Sequence, residues 1–207
     1  SARRTNFKDA ARITGFEERD NGIDISELSF TPSGKHMVFV RGNTPNTQGY
    51  AANPAQLQIE TGRVLYLTDL EHGRDFRKIA VGYAFKIAPD GRSVAYLNAG
   101  QVWTASLVDT TLKPQALFKV RGAVGSLRWN PDGSKLAFVN TRGDHSFVGI
   151  YDLISKSINF PDPGADKDQE PVWSPDGSRI AFVSSFSLRE YVNDSLYNPK
   201  AELPVYP

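Results

Sequence analysis

Few residues of this 207-residue chain occur in patterns that could carry out chemistry. The histidines are His36, His72 and His145, and none belongs to a His-Glu-x-x-His metal motif. The sequence has no Gly-x-Ser-x-Gly elbow, Walker loop or dinucleotide fingerprint. We expect His36 and His72 to be solvated turn residues, because polar side chains dominate such connections. The sequence therefore predicts no catalytic residue, no metal site and no cofactor in these 207 residues.

Three consecutive residues near the end of the sequence are the candidates for substrate binding. Arg189, Glu190 and Tyr191 combine both signs of charge with an aromatic ring in a segment of loop composition. Loops held by a rigid scaffold often carry binding groups. We therefore predict that these three residues line the mouth of a channel.

Acidic residues offer the other possible chemistry. Asp162, Asp166, Asp168 and Glu170 are predicted to share one loop, and their oxygens are of the type that Ca²⁺ prefers. Their spacing lacks the glycine-centred order of a calcium loop, which favours a solvated acidic loop. The tripeptide at 142–144, Arg-Gly-Asp, spells a cell-adhesion motif but follows a predicted strand. Turn chemistry explains it better than adhesion does.

The elements that must position these residues are hairpins built on a repeated turn. Proline fits the second position of a tight turn, and glycine adopts the left-handed conformation that closes it. An apolar residue precedes each turn and an alternating apolar run follows it, which indicates two antiparallel strands. The four copies are FTPSG at 30–34, IAPDG at 87–91, WNPDG at 129–133 and WSPDG at 173–177.

The spacing of these turns predicts the fold. Their prolines are Pro32, Pro89, Pro131 and Pro175, at intervals of 57, 42 and 44 residues. A period of about 40–45 residues is typical of four-stranded propeller blades. The longer interval is one such unit with an insertion, which the loop composition of residues 41–61 places after the first hairpin.

The fold class is therefore all-β, a partial β-propeller of about three to four four-stranded antiparallel blades. Residues 1–22 are expected to be a lead-in, with an outer strand around 11–16. The predicted repeats are about 23–81, 82–121, 122–166 and an incomplete 167–207. The predicted third and fourth strands are 64–70 and 76–81, then 101–107 and 115–120, then 147–153 and 157–160. Trp103, Trp129 and Trp173 recur at strand positions and are predicted to pack between blades rather than to bind a ligand.

Composition excludes several classes of partner. The 24 Lys and Arg residues nearly balance the 23 Asp and Glu residues, for a net charge of +1. This balance gives no electrostatic basis for binding nucleic acid, and no polybasic block indicates a membrane surface. No apolar run approaches 18 residues. The absence of cysteine excludes disulfides, thiolate metal sites and a cysteine nucleophile.

The repeated hairpins resemble the propeller of TolB and the N-terminal propeller of the prolyl oligopeptidase family. Two stretches favour the peptidases. RGDHSFVGIY at 142–151 is similar to a segment of bacterial dipeptidyl aminopeptidases, and EYVNDSLYNPK at 190–200 is similar to a blade of dipeptidyl peptidase IV. The resemblance covers most of the chain from about residue 24, within the non-catalytic half of the family's architecture.

This resemblance implies a bacterial, periplasmic or secreted serine exopeptidase. Its propeller would restrict peptide access to a C-terminal α/β-hydrolase domain that carries the catalytic triad and is absent from this chain. Dipeptidyl peptidase IV holds the substrate amine with adjacent glutamates on a short helix. This chain has DKDQEP at 166–171 there, with one glutamate and no room for a helix. The amine-binding role is therefore not assigned to Glu170.

Two alternatives remain. A TolB-like propeller would bind partner proteins at its rims without enzymatic activity. A homodimer would let two chains complete one ring or shield exposed sheet edges, since an uncovered edge invites pairing. The TolB-like alternative predicts a closed ring and no downstream hydrolase, whereas the homodimer follows from the expectation that three blades and part of a fourth do not close a ring.

Overall fold

The computed structural model describes residues 25–42, 62–71, 76–109, 111–164 and 166–185. These residues form fourteen β-strands and no helix. Within these ranges no helix is long and apolar enough to cross a membrane. The prediction of an all-β chain is confirmed.

The first two sheets are four-stranded antiparallel meanders, which we name blade 1 and blade 2. Strands that are consecutive along the chain are neighbours in each of these two sheets. Blade 1 consists of β1 (Ile25–Phe30), β2 (His36–Arg41), β3 (Val64–Asp69) and β4 (Phe76–Val81). Blade 2 consists of β5 (Tyr83–Ile87), β6 (Ser93–Asn98), β7 (Gln101–Ser106) and β8 (Gln115–Phe118).

The remaining strands form one larger sheet that contains the third and fourth repeats. Blade 3 consists of β9 (Ala123–Trp129), β10 (Lys135–Arg142), β11 (His145–Asp152) and β12 (Ser157–Asn159). The described part of blade 4 is β13 (Lys167–Trp173) and β14 (Ile180–Ser185). A parallel bridge between Ser146 and Lys167 joins β11 to β13. The Ser146 hydroxyl also donates a hydrogen bond of 2.7 Å to the Asp168 carbonyl.

The predicted strand positions agree with the structure to within two residues. The fourth strand of blade 1 has the predicted bounds, and most of the others end one or two residues earlier. Strand β11 begins at His145, earlier than predicted, because its pairing with β10 continues to the Arg142–His145 pair. Arg41 ends β2 and is not part of the insertion. The predicted strand at 11–16 and residues 43–61 of the insertion lie outside the described residues.

The four turns have the predicted geometry. In each, the glycine N–H donates to the carbonyl of the residue before the proline, at 2.8–3.0 Å. The four glycines have φ between +69° and +76°. In three turns the residue after proline is aspartate, and its carboxylate accepts the N–H two residues further on. The turn sequence therefore closes each hairpin through the contacts that its residue types favour.

The hydrophobic core lies between blades rather than within one sheet. One cluster joins blades 1 and 2, and a second joins blades 2 and 3. Side chains six and eight residues after each turn proline face the next blade, as with Val38 and Val40. Side chains five and seven residues after the proline face the previous blade, as with Val94 and Tyr96. Each sheet therefore buries one face against each neighbour, because a single sheet cannot cover both of its own faces.

The stacking order defines which strands are innermost. Strand β1 contacts β5, β5 contacts β9, and β9 contacts β13. The first strands therefore converge, as strands nearest a common axis must. A set of antiparallel sheets arranged around an axis is the architecture of a β-propeller.

Candidate functional site

The converging first strands share one unusual backbone feature. In each blade, the residue five positions before the turn proline has a left-handed φ. The φ values are 53°, 50°, 49° and 54° in blades 1 to 4. The four residues are Glu27, Ala84, Ser126 and Glu170. The pairing with the second strand shifts at each of them, which identifies a β-bulge. Bulges redirect side chains and often occur beside functional sites.

The bulges of the first three blades surround a cavity of about 380 Å³. This volume lies within the range of small-ligand sites. The wall carries one carboxylate and two cationic side chains beside apolar groups. Its lining residues are Glu27, Leu28, Ser29, Ala84, Phe85, Lys86, Ser126, Leu127 and Arg128. Groups of both charges allow such a wall to contact the amine and the carboxylate of a peptide.

Glu27 links two blades at this wall. Its carboxylate oxygen Oε2 accepts a hydrogen bond of 3.3 Å from the backbone N–H of Phe85. Phe85 follows the left-handed residue Ala84 in the next blade. The Glu27 side chain therefore satisfies a backbone donor at the neighbouring bulge, where the regular ladder is interrupted.

Two tryptophans connect blades next to the cavity. The indole N–H of Trp129 donates to the Lys86 carbonyl at 3.0 Å, and that of Trp173 donates to the Arg128 carbonyl at 3.1 Å. Trp103 packs against the core cluster between blades 1 and 2. The prediction that all three tryptophans pack between blades is confirmed.

The predicted substrate-binding residues Arg189, Glu190 and Tyr191 lie outside the described residues. Strand β14 ends at Ser185, which pairs with Lys167 and lies at the end of the sheet that holds the β10–β11 hairpin. The described residues do not test whether these three residues bind substrate, so this stays a prediction.

The sequence predicted that the acidic residues share one loop, and this prediction is wrong. Asp168 and Glu170 are in β13, and Asp168 is only 3% exposed. The polar composition and Pro171 suggested a loop, but Pro171 falls in the bulge, where the ladder needs no N–H donor. Among the residues that the structure describes, no group of three His, Asp or Glu side chains could hold a metal ion.

The histidines occupy three different environments. His36 is not a solvated turn residue: it begins β2, is half-buried and lines a cavity of about 450 Å³ with Asp69 and Arg77. The hairpin turn closes before it, so His36 belongs to the ladder as the partner of Asp69. His72 lies outside the described residues. His145 begins β11, with its Nδ1 2.9 Å from the carboxylate of Asp144.

The Arg-Gly-Asp tripeptide is a structural element, as predicted. Arg142 ends β10, and Gly143 and Asp144 form the tight turn to β11. The Arg142 guanidinium lies 5.4 Å from the ring centre of Phe147 and 5.9 Å from that of Phe160. Its Nε donates to the Asn140 side chain at 2.9 Å. These contacts hold the arginine against its own blade.

Hydrogen bonds perturb several ionisable groups of the turns. The Ser174 hydroxyl, followed by the N–H and hydroxyl of Ser178, lowers the pKa of Asp176 to about 2. The pKa of Asp132 is lowered chiefly by the Ser134 side chain. Burial raises the pKa of Tyr96 to about 12, since an apolar environment disfavours the phenolate. These perturbed groups lie in turns and in the core, so the shifts serve the fold.

The stacking of the sheets defines the class of protein: the residues that the structure describes form a partial β-propeller. No protein-family model matches the sequence, and no curated protein is detectably similar to it. Solved structures are similar in fold. They include TolB from Acinetobacter baumannii, with 22% identity and a TM-score of 0.55 over 77% of this chain and 37% of that chain.

Peptidases are also among the similar structures. The tricorn protease has 16% identity and a TM-score of 0.58 over 77% of this chain and 15% of its own. A puromycin-hydrolyzing peptidase from Mycobacterium tuberculosis has 14% identity and a TM-score of 0.58 over 79% of this chain and 28% of its own. The chain thus spans less than half the length of each of these three proteins. These similarities confirm a propeller of the kind found in TolB and in peptidases.

Proposed function

We propose that this chain is the non-catalytic propeller region of a serine exopeptidase of the dipeptidyl aminopeptidase type. In this role it controls the access of peptides to an α/β-hydrolase domain outside these 207 residues. The proposal also assigns the protein to the bacterial periplasm or the outside of the cell. The fold similarity to peptidases supports it, together with the sequence resemblance of segments 142–151 and 190–200.

The observation that carries the proposal is the cavity of about 380 Å³ on the wall of first strands. A peptide carries an ammonium group at one end and a carboxylate at the other. Glu27 supplies a carboxylate for the first, and Lys86 and Arg128 supply cations for the second. A cavity of this size accommodates a short peptide and excludes a folded chain. The size of the cavity thus supports the proposed selection of peptides by size.

A substitution that narrows the cavity, made in the full product of the gene, tests the gating role. Leu28 lines the cavity and is 64% exposed, so Leu28→Trp adds bulk to the opening without disturbing the core. We expect kcat/KM for a hexapeptide to fall about tenfold relative to a chromogenic dipeptide substrate, which corresponds to about 1.4 kcal/mol.

The matched control is Ile154→Trp, which places the same side chain at an 84% exposed position in the turn between β11 and β12. The control should leave the ratio of kcat/KM values unchanged. An unchanged ratio in Leu28→Trp, with activity present, would contradict the gating role.

A second candidate is a protein-binding propeller without enzymatic activity, as the alternative resemblance to TolB suggests. The fold similarity to TolB from Acinetobacter baumannii favours it. The two candidates differ in the gene product as a whole. A gene product without peptidase activity on chromogenic dipeptides, and without a downstream Gly-x-Ser-x-Gly elbow, would favour the binding protein.

A further inference from the structure

Contacts between consecutive blades recur at fixed offsets from the turn proline. In the first contact, one face of the second strand is buried against the next blade. Val38 and Val40 of blade 1 are fully buried against blade 2. Ala95 and Leu97 occupy the same offsets in blade 2 and are buried against blade 3. Each blade thus covers the preceding one.

The turns form a second series of contacts. A Cβ added to Gly91 would lie 3.1 Å from Cδ of Pro32, and one added to Gly177 would lie 3.3 Å from Cδ of Pro131. The glycine of each turn therefore rests on the proline of the preceding blade. At Gly34, in blade 1, an added Cβ would have no heavy atom within 4 Å.

Three hydrogen bonds run in the same direction. The tryptophans of blades 3 and 4 donate to carbonyls three residues before the turn proline of the preceding blade. The Glu27 carboxylate accepts the N–H of Phe85 in the following blade. In these three bonds the earlier blade supplies the acceptor and the later blade supplies the donor.

Blade 4 presents all the acceptor features of this series, without a described blade to follow it. Its second-strand face is uncovered, since Val183 is 51% exposed whereas Val139, at the same offset in blade 3, is 7% exposed. The docking face, as we name it, consists of Glu170, the Val172 carbonyl, Pro175, Ala181 and Val183. Glu170 repeats both the side chain and the left-handed φ of Glu27.

We propose that the docking face binds a further propeller blade of the same repeat type. That blade places a turn glycine on Pro175 and apolar side chains over Ala181 and Val183. A tryptophan against the Val172 carbonyl would repeat the hydrogen bond that blades 3 and 4 make to the blade before them. The Glu170 carboxylate accepts the N–H that follows its left-handed residue. The inference is independent of catalytic activity and of the proposed gating role.

Blade 1 of a second copy of the chain fits this face less well. It has Phe30 at the position of the donor tryptophans, but blade 2 has Ile87 there and still stacks on blade 1, so the missing donor weakens the fit without excluding it. Its Met37 and Phe39, which would cover the docking face, are already 6% and 0% exposed. The occupant is therefore a different blade, and continuity with the three existing blade contacts defines its chemistry.

Thiol labelling tests the proposal cleanly, because the chain has no cysteine. Val183→Cys is prepared in the 207-residue chain and in the full product of the gene. We expect fast reaction with a maleimide in the chain and a rate about tenfold lower or less in the gene product. Val139→Cys is the covered control at the same offset in blade 3, and Ile154→Cys is the exposed control.

Each outcome decides the proposal. Protection of the thiol at position 183 in the gene product alone, at every protein concentration, supports it. Fast labelling of that thiol in the gene product would overturn it. Protection in the 207-residue chain that increases with concentration would overturn it in favour of a second copy.

Glu170 has a separate expected effect in the gene product. Glu170→Ala, combined with Val183→Cys, removes the acceptor and should raise the labelling rate severalfold. Glu170→Gln retains an acceptor oxygen and should largely restore protection. Equal labelling rates in the two variants would remove Glu170 from the docking face.

Discussion

We expect individual aspartates of the turns to make this fold sensitive to acid. Asp176 accepts hydrogen bonds from Ser174 and Ser178, and Asp132 accepts them from Asn130 and Ser134. These bonds favour the charged carboxylate and lower both pKa values. A carboxylate of this kind stabilises the folded state above its ordinary pKa, near 4. The contribution is lost as the pH falls through the folded value.

For Asp176 the window follows from its folded pKa of about 2. We expect the free energy of unfolding of the 207-residue chain to decrease between about pH 4 and pH 2. Asp176→Asn keeps an acceptor for the Ser178 N–H but removes the titrating charge, so the decrease should be shallower. Urea unfolding at a series of pH values measures this slope. Ser178→Ala, which removes one donor, should give an intermediate slope, and identical slopes in all three proteins would contradict the assignment.

At the scale of strands and turns, the glycines of the four hairpins form a graded series. All have nearly the same left-handed φ, so an alanine costs each turn a similar backbone strain, about 1–2 kcal/mol. The neighbour differs: the distance from the added Cβ to the proline Cδ of the preceding blade is 3.1 Å at Gly91, 3.3 Å at Gly177 and 3.7 Å at Gly133. Gly34 has no such neighbour within 4 Å.

We therefore expect Gly91→Ala to destabilise the chain by about 1 kcal/mol more than Gly34→Ala, because overpacking adds to strain. Gly133→Ala should resemble Gly34→Ala, since 3.7 Å is an ordinary contact. Chemical denaturation of the variants measures the order. Equal losses of unfolding free energy in Gly91→Ala and Gly34→Ala would show that contact between neighbouring turns does not affect stability.

The strands were predictable from sequence because their signals are local. A proline, a glycine two residues later and an alternating apolar run define each hairpin, and a period near 43 residues defines the blade. The left-handed bulges were not predictable, since their residues are two glutamates, an alanine and a serine, none of which favours a left-handed φ. Their constant spacing, five residues before the turn proline, can be recognised only once the structure gives their φ angles. The bridge from Ser146 to Lys167 is likewise non-local and left no sequence signal.

At the scale of the whole molecule, the blades that the structure describes form an open stack. Blades 1 to 3 bury both faces of their second strands, whereas β14 has Ile180 and Phe182 half-buried on one face and Ala181 and Val183 exposed on the other. The wall of first strands and the docking face are thus built from the same repeated positions of the blade. In the two proposals above, the wall of first strands binds peptides and the docking face binds a further blade that extends this wall.

The same architecture leads to an expectation for the 207-residue chain by itself. Serine peptidase chemistry needs a nucleophile, a base within hydrogen-bond reach and donors for the oxyanion. The sequence has no cysteine and no nucleophile elbow, so we expect the purified chain to release no chromophore from a chromogenic dipeptide. The full gene product under identical conditions is the positive control for the proposed peptidase. Release that scales with the concentration of the chain, co-elutes with it in gel filtration and resists serine-hydrolase inhibitors would contradict a non-catalytic propeller.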